Sequence, residues 1–107
     1  AVVAKRSSHA SRHHIKPHGH ARAQFIFAVS GTMTVRTPRR TWIVPPSRAL
    51  WVPSHTVHEI QMYGTVEMRS LYVHTVAAAG MPSSCIVLSS APRLLGHVVC
   101  AEGLPAW

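Results

Sequence analysis

The sequence predicts an all-β chain, a small jelly-roll barrel of about eight strands followed by one C-terminal helix. Three observations carry this. Short apolar segments recur along the chain, several in period-two alternation, and Gly or Pro separates one from the next. Helical spacing of apolar residues is confined to Leu94, Leu95, Val98 and Val99 near the end. The length of 107 residues leaves room for one modest core, so the whole of residues 1–107 reads as a single domain.

Residues 1–5 suit a short opening strand, and residues 7–14, polar and rich in histidine, suit a loop with His9, His13 and His14 at the surface. Next comes PHGHARAQFIFAVSG, residues 17–31. His18 and His20 are one residue apart, so on an extended strand they project from the same face and could share one ion. Gln24 cannot join them on a straight strand: four residues at roughly 3.3 Å each put it about 13 Å from His20, against a metal bond of about 2 Å. The chain must therefore turn at Ala21, Arg22 and Ala23. A paired strand from Gln24 would then bring the amide back over the imidazoles, with Phe25, Phe27 and Val29 on the opposite face and Gly31 freeing the backbone for the next reversal.

Thr32, Met33, Thr34, Val35 and Arg36 alternate as a half-buried strand that Pro38 ends. Residues 41–44 form another, and Pro45, Pro46 and Ser47 force a turn because proline cannot donate to a ladder. Residues 49–52 resume extended structure. In residues 57–62 the alternation is clearest: His58, Ile60 and Met62 share one face, and Val57, Glu59 and Gln61 the other. Gly64 is expected to break this run before a last long strand that carries Val66, Met68, Ser70, Tyr72 and His74 on one side. Residues 77–84 form a small-residue connector and residues 86–88 a buried short strand. Ser90 and Pro92 open the helix, which Gly103 and Pro105 end.

Eleven Lys and Arg against three Glu and no Asp give a formal charge of +8. The basic residues are scattered, as on an ordinary solvated surface; only Arg36, Arg39 and Arg40 group together, the one place that suggests nucleic acid. Cys85 and Cys100 are 15 positions apart, follow no metal-ligand pattern and read as free buried thiols. Neither a leader nor an apolar run of the roughly 20 residues needed to cross a bilayer is present, so the expected compartment is the cytoplasm, with no membrane partner.

The spacing of His18, His20, Gln24 and Gly31 resembles the first motif of the cupin barrel, which normally carries Glu at the position of Gln24. Pro53, Ser54, His55, Thr56, Val57 and His58 resemble the second motif, with His55 in place of its glycine and Met62 where the family often has Asn. The order HxHxxxQ, SGTMTVRTP, WIVPPSRALWVPSHTVHEI, RSLYV and SSAPRLLGHVV is similar to the N-terminal cupin domain of AraC-type transcription regulators from about His9 onward. This resemblance implies an effector-sensing and dimerising cupin-type barrel. It also implies that DNA is reached through a domain missing from this chain, which would then be a fragment.

Neutral imidazoles at His18, His20 and His58 suit zinc, nickel, iron or copper, with Gln24 a weak oxygen ligand; the alternative is structural hydrogen bonding. Met33, Trp42, Trp51, Tyr72 and His74 are candidate walls for a small-molecule effector, and plain core packing is the alternative for the tryptophans. No catalytic residue is assigned. The competing function is a metal-dependent cupin enzyme such as a dioxygenase or isomerase, although Glu59 and Glu67 face away from the inward set. A third is a purely structural dimerisation module. The first reading expects a homodimer.

Overall fold

The structure, a computed structural model of the chain, describes residues 2–74 and 80–89. Seven strands lie among them: β1 (Val2–His9), β2 (His14–His18), β3 (Ala23–Arg36), β4 (Thr41–Val44), β5 (Ala49–Val52), β6 (His58–Val73) and β7 (Ile86–Leu88). The described part is all-β, as expected. The helix expected from Pro92 to Glu102, with its leucine pair, and Cys100 lie outside the described residues.

Two long strands organise the sheet. β3 and β6 pair antiparallel from Ala23 opposite Val73 to Arg36 opposite Glu59. β1 and β2 flank β6 one after the other, while β5 and β4 do the same along β3, and β7 extends β5. Gly31 and Gly64 face each other across the pair with φ of +74° and +73°. Here both long strands bend together, and one half of the sheet folds over the other. Ile26, Ala28, Leu50, Val52, Val66 and Met68 from one half then share a core with Met33, Val35, Val44, Ile60 and Met62 from the other.

The chain therefore does not reverse at Gly31, nor does Gly64 end a strand. Two register shifts between Ala28 and Thr32 put one extra residue in β3 and then two in β6, and the inward set of β3 changes from Gln24, Ile26 and Ala28 to Met33 and Val35. A bulge of this kind bends a strand without ending its pairing. Only glycine fits at its centre, because a Cβ on Gly31 would stand 2.6 Å from the Thr65 carbonyl oxygen and 2.7 Å from Val66 Cγ2. Along β6 the inward set stays even-numbered, from His58 to Ser70.

β1 also departs from expectation. Ser7, Ser8 and His9, read from their polarity as loop, pair with Met68, Glu67 and Val66. An edge strand needs only its backbone to join a ladder, so polar side chains are tolerated on its open face; Ser8 Oγ donates to Glu67 at 2.8 Å. Residues 86–88 and Cys85, expected to be buried, are half-buried.

Candidate metal and ligand site

Three imidazoles meet at the end of the barrel remote from the bend. His18 ends β2 and pairs with His58, the first residue of β6. A bend at Ala21 and Arg22 carries the chain from His20 into β3 and returns Gln24, whose Oε1 lies 3.0 Å from His20 Nε2. The turn expected there is present, yet β2 and β3 do not pair with each other: both pair with β6. The ligating atoms of His18, His20 and His58 all lie within 4.8 Å of one another. His58 and Gln24 are buried, His20 half-buried and His18 exposed, so the cluster is open to solvent on the His18 side.

Backbone carbonyls set the tautomers. Nδ1 of His18 donates to Lys16 O at 3.1 Å, Nδ1 of His20 to Arg22 O at 2.6 Å and Nδ1 of His58 to Thr56 O at 2.9 Å. A carbonyl can only accept, so in each neutral ring the proton sits on Nδ1 and Nε2 keeps its lone pair. Metal-ligating histidines are held in this manner. The Nε2 of His58 is buried without a hydrogen-bond partner among the described residues. An orphaned acceptor of this sort costs about 1–3 kcal/mol unless an ion or donor reaches it.

Gln24 Nε2 donates to Ser70 Oγ at 2.9 Å, which turns its amide oxygen toward His20. Two lone pairs at this separation repel unless a positive centre lies between them, whether an ion or a second proton on His20. Exchanging the amide oxygen and nitrogen would also resolve the clash, with Ser70 then the donor. The donor set fits a divalent metal of the zinc type. Two ligands on one ion at about 2.1 Å cannot stand more than about 4.2 Å apart, so binding would draw the widest pair in by roughly half an ångström. Burial is the main reason the His58 imidazole titrates below its ordinary range, and His18 and His20 push the same way against the pull of the Thr56 carbonyl. The neutral form, the one that ligates, is favoured.

The remaining candidates separate. Tyr72 stands edge-on to His20 with ring centroids 5.4 Å apart. Met33 is fully buried in the core, and Trp42 is partly buried against it. Trp51 corrects the expectation of a barrel wall. It pairs with Phe25, while Gln24 pairs with Val52 and Ile26 with Leu50, so its ring lies on the outer face of the sheet. There it packs on Phe25 at 4.8 Å and donates to Pro82 O at 2.8 Å. A one-residue offset from the inward set is the reason, since successive side chains alternate faces. His74 is exposed just past β6 and is not one of the convergent imidazoles.

Sequence reasoning missed two features. One is the Ser70 hydroxyl that orients Gln24, a long-range contact with no local signature. The other is the role of His55, already noted in place of the motif's glycine, whose φ of +61° explains why the motif places glycine there. The His55 amide donates to His20 O at 2.8 Å and so ties the loop of residues 53–57 to the cluster. Both described glutamates are outside it: Glu59 meets His14 and Arg36, and Glu67 meets Ser8 and Arg69.

Among known proteins, the chain is 32% identical over 75 residues to the HTH-type transcriptional regulator NimR of Escherichia coli strain K12. That match takes in 70% of this chain and 27% of the relative, so the chain spans little more than a quarter of that protein. ToxT of Vibrio cholerae, solved with an unsaturated fatty acid bound, superposes with a TM-score of 0.70 at 6% identity, over 92% of this chain and 46% of that one. An RmlC-like cupin from Shewanella frigidimarina superposes with a TM-score of 0.62 at 15% identity, over 66% and 64% of the two chains. At such identities the two structures establish the cupin fold. Residues 1–101 match the model of the AraC-like ligand binding domain, and the chain belongs to that family.

Proposed function

We propose that this chain is the effector-sensing domain of a transcription regulator. It takes a small molecule at the open end of its barrel, beside a divalent transition metal held by His18, His20, His58 and Gln24. The observation that carries the metal is the convergence of three imidazoles whose Nδ1 atoms are engaged by carbonyls, which leaves Nε2 for an ion, that of His58 buried and without a partner among the described residues. Family membership and the ligand seen in ToxT support sensing. Tyr72 and the half-buried face of His20 border a groove of about 590 Å³ with Lys5 and Arg22, ample for a metabolite. Among the described residues no carboxylate joins the site, so proton transfer between paired acids has no seat there.

Residues 1–107 act as one ligand-binding unit, and the regulator works as a homodimer in the cytoplasm. DNA is read by another part of the whole protein, as the helix-turn-helix description of NimR suggests. Among the described residues no helix is long and apolar enough to cross a membrane.

Elemental analysis of protein purified without an affinity tag tests the metal: one ion per chain is expected, and its loss in His58→Ala. Equal metal in both proteins removes His58 from the site. Three imidazoles and an amide bring no negative charge to the ion, so Gln24→Glu is expected to tighten binding on the order of tenfold, worth about 1.4 kcal/mol. Sensing is tested by a thermal-shift screen of metabolites, in which the stabilising compound should lose its effect in His20→Ala. Turnover of that compound in the presence of metal would instead make the chain a metal-dependent cupin enzyme.

A further inference from the structure

A second groove, of about 770 Å³, lies beside the loop of residues 53–57, which separately anchors the histidine cluster through His55 and Thr56. Trp42 forms its apolar wall. The Arg40 guanidinium stands over that indole, 4.4 Å from the ring centroid. Its position is prepared by the turn between β3 and β4, where Thr37 N donates to Arg40 O at 2.8 Å and Thr37 Oγ1 donates to the same carbonyl at 3.2 Å.

The other polar groups are Arg39, His55 and the hydroxyls of Ser83 and Ser84, and none of the described residues lining the groove is acidic. Among the described residues no carboxylate pairs with Arg39 or Arg40: Glu59 is engaged by Arg36 and His14, and Glu67 by Arg69. The Trp42 indole N–H is buried and has no hydrogen-bond partner among the described residues. A guanidinium stacked on an aromatic wall, with a second arginine beside it, is what a planar anion needs. Its body stacks on the Arg40 guanidinium, which is itself backed by the Trp42 ring, and its acid group takes charge-assisted hydrogen bonds from the arginines.

The geometry points to this groove as a binding site for a small planar organic anion, a carboxylate or a phosphate ester, separate from the histidine cluster. The inference rests on the reading of the chain as a small-molecule sensor and adds to the pocket beside His20 a second site of stated chemical class. Only the indole and the guanidinium select for shape, so a neutral compound of the same shape keeps the stacking and loses the ionic part.

Calorimetric titration of the metal-loaded chain with naphthoate, naphthyl phosphate and neutral naphthamide tests it. Either or both acids should bind, and the arm that binds tighter tells carboxylate from phosphate. The amide should bind ~10-fold or more weakly, and Arg40→Gln should cost the acids a similar factor. Arg40→Lys, which keeps the charge and loses the planar stack, should fall between. Circular dichroism of each variant checks that the fold is kept. Acid binding should be unchanged when the titration is repeated without metal, since the histidine cluster belongs to the other site.

Binding of neither acid, equal binding of acid and amide, or indifference to Arg40→Gln would overturn the site. Tighter binding of a short oligothymidylate than of either acid would overturn the small-molecule assignment in favour of nucleic acid. If the acids fail while a metabolite still stabilises the chain in a His20-dependent way, this inference falls and the sensor reading stands. If no compound of either kind acts, both fall.

Discussion

His58 links the candidate site to folding. Its ring is buried, its Nδ1 is held by Thr56 and its Nε2 faces the other two imidazoles. Desolvation is the chief reason that its folded-state titration lies below the ordinary imidazole value. In the unfolded chain the group titrates at about 6.5. Between the folded and unfolded values the unfolded state binds more protons, so stability rises with pH across that interval. The metal-free chain should therefore lose thermal stability as pH falls through about 6.5, and the loss should level off once the folded form also protonates. His9, shifted downward mainly by burial, adds to the slope. Melting temperatures in a pH series check this against His58→Gln, whose dependence should be shallower. Equal slopes would mean that His58 is not the group responsible.

Among the elements, the bent pair β3–β6 decides the architecture, and its two glycines are not equivalent. Both have positive φ, which costs an L-residue about 1–2 kcal/mol. Gly31 in addition has the Thr65 carbonyl and Val66 in the space a Cβ would fill, whereas at Gly64 the nearest atom would be Gly31 Cα at 4.0 Å. Gly64→Ala should thus lower stability by about 1–2 kcal/mol, and Gly31→Ala by roughly 3 kcal/mol or more, because backbone has to move. Urea melts of the two variants measure the difference. Equal losses would show that φ alone accounts for both glycines. The bend matters for function because it stacks the two sheet halves and so brings His58 from one half near Gln24 from the other.

For the whole molecule, the charge of +8 predicts attraction to phosphate without sequence reading. Specific readout needs a helix or ribbon that carries side chains to base edges. The described residues contain no helix, and their most compact basic group, Arg39 and Arg40, sits in one turn beside Trp42. A gel-shift assay of this chain should show weak binding that disappears near about 0.15 M salt and favours no sequence. Retention of one promoter sequence at that salt would contradict the proposal that DNA is read by a part of the protein other than this domain.

Much of this molecule could be read along the chain. Alternation at residues 57–62 put His58, Ile60 and Met62 on the inward face, the distance argument required a turn between His20 and Gln24, and motif order pointed to the family. These are local properties: side-chain direction repeats every two residues, and a short span limits how far apart its ends can be. What the tertiary structure alone decided is non-local. β1 extends through His9 because β6 offers it a partner, and Gly31 and Gly64 are corners because they face each other. Trp51 turns outward because its register against Phe25 places it there, and Ser70, 46 residues away, orients Gln24. Register and face depend on which strand lies alongside, and a strand's own residues do not carry that information.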